Sequence, residues 1–435
     1  MSSRSSRLPE LRRASSSKRR HLIESAAGLS RQASATLEQP ASFGIERAEA
    51  MIENAIGVYG LPLGIATNFI VNGREVLIPM VIEEPSVIAG ASWAAKAARE
   101  LGGFTATSTE RRMIGQVHLL GISDELGAIA RVETAGAEVL DACARLCPRM
   151  VARGGGPREL RCRALGDGMI VVHVVIDTLD AMGANSVNAV CEGVSPMLEH
   201  LTGGRAILRI LSNYTDECLA TATVEIPVAS LDKRANDGSD ERIPGGAVLD
   251  GILLAQKVAE LDVYRAVTHN KGVMNGVDAV VIATGNDWRA VEAASHAHAC
   301  RSGRYGPLTK WSKTERGLRG ELELPMAIGT VGGTIPLHPV AQAALEILGV
   351  GSARELAEVC VAVGLAQNLA ALRALVSFGI QASHMGLHAR SVAAAAGARG
   401  PTVDRVAEAL MSIGDIRIER AQALMSLLPH EEELS

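Results

Sequence analysis

The sequence predicts an α+β fold: a large unit of mixed helices and strands, a compact α+β insert within it, and a helical tail. Three observations predict it. Residues 51 to 101 alternate strand-like and helix-like apolar spacing; from Met113 the rhythm shortens to strand, helix, strand, helix, strand; from about residue 380 only helical spacing remains.

The elements follow in order. Arg4, Arg7, Arg12, Arg13, Lys18, Arg19 and Arg20 lie among serines with Glu10 as the accompanying acid, a composition that resembles a transit peptide. Ser15–Ser17 also reads as a helix cap, and the spacing of Leu22, Ile23, Ala26 and Ala27 favours a helical N-terminal arm. "ENAIGVYGLPLGIATNFIVNG" carries turn signals, and Asn72–Gly73 predicts a hairpin turn into a strand over Arg74–Val81. "EEPSVIAGASWAAKAARELGG" predicts a helix with Pro85 in its first turn and Gly102 as its stop. Met113–Ile122 reads as a strand, Leu126–Arg145 as a helix, Met169–Ile176 as a strand and Ser186–His200 as a helix. Arg205–Leu211 and Ala220–Val228 read as two further strands. The division expected is a large unit at 1–110, an insert at 111–217, the large unit again at 218–379, and a tail at 380–435. "SVAAAAG" and "RVAEALMSIGDIRIERAQALMSLL" are the tail's helices, and Gly379 and Gly386 near the junction suit a lid.

Composition narrows the class. The chain has 435 residues, 47% apolar and 21% charged, which is ordinary for a globular enzyme. Aromatics are only 3%, so Ala, Val, Leu and Ile must build the core. No apolar run reaches the length of about 18 residues that spans a bilayer. A net charge of −5 makes no electrostatic case for nucleic acid or an anionic membrane. Seven cysteines, an odd number, suit a reducing cytoplasm better than a disulfide framework. Cys143 and Cys147 have no second pair at zinc spacing, so no metal site is expected.

Four constellations offer chemistry. The chain lacks G-x-G-x-x-G after a strand and lacks a P-loop, which disfavours a standard Rossmann dehydrogenase. It has instead "IDTLDAMGANSVNAV", where Asp180, Met182, Gly183 and Asn185 surround a small-residue turn before a helix. Backbone N–H groups at such a turn can approach a pyrophosphate, although taken alone it reads first as an ordinary capped turn. "DVYRAVTHNKGVMNGVDAVVIATGNDWRAVEA" brings Arg265, Lys271, Asn275 and Asp287 around an expected strand at Ala279–Ala283. A lysine beside a carboxylate can stabilise a developing oxyanion; a solvated lysine and an N-capping Asp287 fit the local sequence equally. Glu83–Glu84–Pro85–Ser86 offers either first-turn acids or a proton donor. In "GIQASHMGLHARS", His384 and His388 share a helical face at metal spacing but without an adjacent acid, so a proton-donating histidine is the more useful reading. His296, His298 and Cys300 alternate on a helix about 200° apart and read as structural.

Taken together and in order, "ENAIG", "EEPSVIA", "DAMGAN", "THNKGVMNG", "ATGNDWRA", "GTVGGT" and "SHMGLHARS" resemble the successive signatures of class II 3-hydroxy-3-methylglutaryl-CoA (HMG-CoA) reductases, over roughly residues 5 to 430. The resemblance implies a large substrate domain, an inserted ferredoxin-like cofactor domain and a mobile C-terminal flap. It also implies a cytoplasmic homodimer, or an assembly of dimers, with sites at the subunit interface and no membrane anchor. It implies reduction of HMG-CoA to mevalonate and CoA in two hydride steps, through a hemithioacetal and mevaldehyde, using NADPH or NADH. By position, Glu84 is the catalytic acid, Lys271 the cation at the carbonyl, Asp287 the residue that tunes both, and His384 the group that protonates the CoA thiolate. Ser86, Arg265, Thr268, Asn275 and Asn368 fall on substrate contacts; Asp180, Met182, Gly183 and Asn185 fall on cofactor contacts. NADH-using members carry an acid shortly before Gly154–Gly156, whereas this chain has Cys147, followed by Pro148 and Arg149. Loss of the acid removes repulsion against a 2′-phosphate, and Arg149 or Arg153 can pair with one, so NADPH is slightly favoured.

Three alternatives accompany that reading. The same site can run oxidatively on mevalonate; an acyl-CoA hydrolase or lyase can reuse Lys271 and Glu84 without hydride; and a binding protein without catalysis can keep the scaffold. The "DAMGAN" turn argues against the second and the full catalytic set against the third.

Overall fold

A computed structural model of the chain describes residues 5–39, 43–234 and 241–427, the side chains of 380–385 and 387 excepted. The arm begins as helix α1 (Ser16–Ala27), whose Ser15 cap accepts from the Lys18 N–H, followed by α2 (Arg31–Glu38) and α3 (Ile45–Glu49). Ahead of α1, the Ser6 hydroxyl donates to the Phe69 carbonyl at 2.9 Å and its N–H donates to the Glu75 carboxylate at 2.7 Å. Arg99 closes this anchor by pairing with Glu75.

Strands β1 (Leu63–Val71) and β2 (Arg74–Val81) form an antiparallel hairpin. Asn72 and Gly73 at its tip have φ of 51° and 74°, the double positive φ of a type I′ turn. Next come α4 (Val87–Ala98), β3 (Phe104–Ser108), β4 (Arg112–Leu120), α5 (Glu125–Thr134), α6 (Gly136–Leu146) and α7 (Pro148–Val151). They are followed by β5 (Gly156–Gly166), β6 (Met169–Asp177), α8 (Ala184–Thr202), β7 (Arg205–Leu211) and β8 (Leu219–Ile226). Short strands β9 (Lys233–Arg234) and β10 (Arg242–Ile243) precede three helices, α9 (Gly245–Leu261), α10 (Val263–Ala283) and α11 (Trp288–Ala299). The hairpin β11 (Thr309–Thr314) and β12 (Gly317–Pro325) leads to α12 (Pro339–Leu348) and α13 (Ala353–Leu375). The tail is α14 (Ile380–Ala395), α15 (Pro401–Ile413) and α16 (Ile418–Leu427).

Two main sheets result. The larger has the order β11-β12-β8-β3-β1-β2, and the smaller β5-β6-β4-β7. β3 and β8 are antiparallel neighbours, from Phe104 opposite Val224 to Ser108 opposite Ala220. The chain therefore leaves the large sheet and returns beside its point of departure. What lies between is a β-α-β-β-α-β run of ferredoxin-like order, with a separate core in which Val117, Val172, Val174 and Ile176 meet Val187, Val194 and Leu198 of α8.

The large core is packed around α10 and α13. Ala and Gly permit the close approach: a Cβ on Gly276 would lie 2.8 Å from Gln367 Cβ, and one on Gly364 2.8 Å from Val277 Cγ2. By length and mean hydropathy (1.4) α13 alone would pass as a membrane span, in contrast to the reading of the linear sequence, but 78% of its apolar window is buried inside the fold. It is the central core helix.

Several elements differ from expectation. Ala279–Ala283 is not a strand but the last turn of α10. Its β-branched run looked strand-like, yet Val277, Val280 and Val281 are buried in the helical core, so packing overrides propensity. Pro85 precedes α4 instead of entering its first turn. The helix expected at Leu126–Arg145 breaks at Ala135, and the tail's second helix breaks at Gly414, which is left-handed at φ 73°. Strands β3, β5, β11 and β12 are not among the expected elements: β5 is an edge strand in which Leu160 and Cys162 alternate with Arg161 and Arg163 but are only partly buried, so its apolar signal is short and weak.

Candidate active site

The site grows from two helix ends. β2 delivers the chain to Glu84, and α4 starts after Ser86, which holds a φ of 75°. A non-glycine residue in that region costs on the order of 1–3 kcal/mol and concentrates at functional sites. Facing it is α10, started by Asp262, whose carboxylate accepts from the Tyr264 N–H at 3.0 Å. Lys271 and Asn275, one turn apart on α10, both reach the Glu84 carboxylate: Lys271 Nζ donates to Oε2 at 2.6 Å and Asn275 Nδ2 at 3.3 Å.

These three groups line a cleft of about 1190 Å³, shared with Ser86, Arg265, Thr268 and Asn368. Arg12, Lys233, Arg265 and Arg373 make its wall strongly cationic. Burial pushes the Arg265 and Arg373 guanidinium groups below their usual range, the latter to about 10. Arg373 also lies 3.9 Å over the Trp93 ring and donates through Nε to the Leu231 carbonyl at 3.0 Å. The tail forms the roof, where Arg390 pairs with Asp404 and Met411 faces the same space.

Other expected residues have partners of their own. Asn368 is buried, with its carbonyl accepting from Trp311 Nε1 at 2.8 Å and Thr309 Oγ1 at 3.1 Å, and its amide donating to the His269 carbonyl at 3.2 Å. The Thr268 hydroxyl donates back to the Tyr264 carbonyl. Asp287 is not in the Glu84–Lys271 cluster of its own chain. It caps α11, accepting from the Ala290 N–H at 3.1 Å, and lies beyond the far end of α10, about 18 Å of helix past Lys271. The side chain of His384 lies outside the described residues, though α14 carries its backbone; His388 is exposed.

A second recess of about 350 Å³ lies at the start of α8, lined by Cys147, Pro148, Arg149, Met150, Asn185 and Ser186. Gly183 begins this helix at φ 84°, and a Cβ there would meet Thr178 Cγ2 at 2.4 Å, so the turn requires glycine and leaves the N-terminal N–H groups open to an anion. Asp180 braces the turn: its carbonyl accepts from Thr330, and its carboxylate accepts from the Ala353 N–H at 2.8 Å. Asn286 clasps Gly329 of the same loop from both sides, donating to its carbonyl and accepting from its N–H. The "ATGND" and "DAMG" segments thus meet at one junction. Met182 is half-buried there.

Sequence reasoning did not find Arg12, Trp93, Lys233, His269, Gln367 or Arg373 as cleft residues. Arg12 was visible only as part of a basic arm; the others sit next to recognised residues or on elements far apart in sequence, and nothing local marks them.

The family model for hydroxymethylglutaryl-coenzyme A reductase matches residues 15–389. The chain is 44% identical over 429 residues to the 3-hydroxy-3-methylglutaryl-coenzyme A reductase of Archaeoglobus fulgidus, covering 98% of this chain and 95% of that one. Its fold matches the same enzyme from Streptococcus pneumoniae with a TM-score of 0.80 at 41% identity, covering 97% and 99% of the two chains. A structure of the class II enzyme from that organism bound to NADPH in open conformations matches with a TM-score of 0.79 at 42% identity, covering 85% and 99%. On a match of this extent, over a cleft that joins an acid, a lysine and an asparagine under a cationic wall, the chain belongs to the hydroxymethylglutaryl-coenzyme A reductase family.

Proposed function

We propose that the chain is an oxidoreductase that reduces HMG-CoA to mevalonate and CoA at the expense of two NAD(P)H. The observation that carries this is the Lys271–Glu84–Asn275 cluster in a cationic cleft, which suits a polyanionic thioester with a carbonyl to be polarised. Lys271 holds the carbonyl oxygen, first of the thioester and then of the aldehyde. Glu84 delivers the proton that each reduced oxygen needs, and Asn275 keeps its carboxylate in place. Ser86, Arg265, Thr268 and Asn368 shape the acyl pocket, with Arg265 the natural partner for the free carboxylate. His384, on the flap, gives a proton to the departing CoA thiolate.

The recess at Gly183 and Asn185 suits a dinucleotide: small residues, a helix N-terminus and a neighbouring arginine. When bound, nicotinamide supplies the hydride. We take residues 111–217 as the cofactor unit, with Asp180 and Met182 shaping its turn, and 380–435 as a flap that excludes water. Cys147 in place of an acid, with Arg149 in the same recess, favours NADPH.

The functional unit is a homodimer or an assembly of dimers. Leu254, Val258 and Leu261 form an exposed stripe on α9 that continues into Tyr264 and Val267 of α10, the kind of apolar surface that marks an interface. A second copy would also bring its Asp287, and the cofactor turn beside it, to the first copy's Lys271. Seven free thiols, five of them buried, agree with a cytoplasmic setting.

The test is a spectrophotometric assay with HMG-CoA and each reduced nicotinamide. Thioester-dependent loss of nicotinamide absorbance with release of free thiol is expected, with the higher kcat/KM for NADPH. No thiol release would overturn the reading, and a strong NADH preference would overturn the cofactor assignment alone.

A further inference from the structure

Two carboxyl groups outside the cleft lie against each other where α10 meets α11. Asp278, near the end of α10, is hydrogen-bonded to Glu292 in the second turn of α11. Two ionised carboxylates can only accept, so a bond between them requires a proton. Its owner follows from the neighbours. Glu292 Oε2 lies 2.8 Å from His296 Nε2, a nitrogen that can donate to it. His296 is itself held through Nδ1, 2.8 Å from the Tyr305 hydroxyl oxygen. That oxygen accepts from Asn270 Nδ2 at 3.1 Å, and Asn270 Oδ1 accepts from the Leu308 N–H at 2.8 Å. Asp278 has no such support: its Oδ1 is buried with no hydrogen-bond partner among the described residues. A bare buried oxygen costs far less on a neutral carboxyl than on an ion, so the proton belongs to Asp278 and the charge to Glu292. Burial first, and then the Glu292 carboxylate, lifts the Asp278 pKa from 3.8 to about 9.

This bond joins the helices on either side of the corner at 284–287. There the Asn286 N–H donates to the Val281 carbonyl at 3.0 Å, the Asn286 side chain clasps Gly329, and Asp287 starts α11. Gly329 in turn abuts the turn ahead of α8: a Cβ on it would lie 2.7 Å from the Met182 nitrogen and 2.8 Å from the Asp180 carbonyl oxygen. We propose that Asp278 and Glu292 are positioning residues whose shared proton ties α10 to α11, and so holds Asn286 and the turn it clasps in the shape that receives a dinucleotide. The proposal rests on the cofactor role given above to the Gly183 turn. Among the described residues Glu292 is the charge that acts on Asp278. His296 reaches it through Glu292, the buried Cys360 thiol of α13 lies within range of its charge, and Lys271 with Glu84 lies about 10 Å back along α10. Ionisation of Asp278 sets two like charges side by side and removes the bonding proton, so the tie is complete below about pH 9 and lost as pH rises through it.

The variant Asp278→Asn isolates the proton. Its amide can still donate to Glu292 but has no proton to lose in this range. NADPH dissociation constants are measured by calorimetry on the full chain, from neutral pH to about one unit above the Asp278 pKa. In the wild type the constant is expected to rise roughly tenfold per pH unit above about pH 9. In the variant that alkaline loss should vanish, with affinity at neutral pH close to the wild-type value. Parallel pH curves for the two proteins, or no alkaline loss in the wild type, overturn the proposal. A contribution to folding alone would move the thermal midpoint and leave the binding curves parallel, which is the same refutation. Should the variant not fold, infrared spectra of the wild type carrying carboxyl-labelled aspartate replace it. A protonated-carboxyl band that shifts with the label is expected at neutral pH and should disappear above about pH 9; no such band at neutral pH overturns the idea. Absence of NADPH binding at every pH would instead sink the cofactor reading, and the infrared band would still decide whether the pair holds a proton.

Discussion

Lys271 and Glu84 meet at 2.6 Å while their side chains keep 58% and 38% of their surface in solvent. An ion pair so open contributes at most about 1 kcal/mol to folding, so its loss should be read in turnover and not in stability. Lys271→Ala is expected to lower kcat for both the thioester and the aldehyde step by roughly 10²–10³, with an unchanged thermal midpoint by circular dichroism. A midpoint that fell with activity would mark the pair as structural. His384→Gln should instead distinguish the steps: thioester reduction slows strongly, while reduction of free mevaldehyde, where no thiolate leaves, is spared. Equal losses would remove the proton-donor role. Glu84, Lys271 and Asn275 could be named from the sequence because their motifs are local and ordered along the chain. Their meeting followed only from the resemblance of the whole motif series and from nothing local, since 187 residues separate Lys271 from Glu84.

Among the elements, the contact of α10 with α13 is the one that sets the cleft, because it puts Asn368 against His269 and Gly272 and Gln367 against Gly276. Gly276→Ala would force a Cβ to 2.8 Å from Gln367 Cβ and 3.0 Å from the Val363 carbonyl, neither of which is a flexible chain end. A loss of about 1–3 kcal/mol is expected, visible as a lower urea midpoint and a raised KM; an unchanged midpoint would show that the helices can slide. The N-terminal anchor gives a pH prediction. Burial alone would raise the Glu75 carboxyl, but the Arg99 and Ser6 hydrogen bonds outweigh it and bring its pKa from 4.5 down to about 2. The folded state therefore binds the proton less readily than the unfolded chain. The stabilisation, on the order of 2–3 kcal/mol, is complete above pH 4.5 and is lost as pH falls toward 2. Glu75→Gln should flatten the thermal midpoint over that window, and parallel curves for the two proteins would refute it. Hairpin β1–β2, the caps at Ser15 and Asp287, and the strand and helix of the insert were legible because each is written in adjacent residues. The end of α10 was not: Val280, Val281 and Ile282 favour a strand locally, and only burial of Val280 and Val281 in the large core makes the stretch helical. Edge strand β5 escaped because its alternation, Leu160 and Cys162 between arginines, is short and only partly buried.

For the whole molecule, the decisive separation is that between Lys271 and Asp287. If each site draws these from different copies, then Lys271→Ala and Asp287→Ala, each inactive alone, should complement on mixing after subunit exchange. With random pairing, heterodimers restore roughly a quarter of wild-type turnover; no recovery despite verified exchange would place both residues' function within one chain. The exposed apolar stripe of α9 makes a companion prediction. Val258→Glu should shift the assembly toward single chains by light scattering and abolish activity in proportion, whereas an active monomer would dismiss the shared-site arrangement. The alternation of strands and helices from β4 to β7 was readable from changing apolar rhythm, but the exposed apolar stripe of α9 was not, since an exposed leucine and a core leucine look alike in a sequence. One further consequence comes from the pairing of β3 with β8. The points at which the chain departs for the smaller sheet and returns from it are bonded neighbours, with the Thr109 N–H donating to the Leu219 carbonyl at 2.9 Å. The intervening segment is thus a cassette whose two splice points lie a single strand spacing apart, about 5 Å. Such a module could be exchanged without reopening the host sheet, so that, on the cofactor role proposed for it, coenzyme choice would be free to be inherited separately from the carbonyl chemistry it serves.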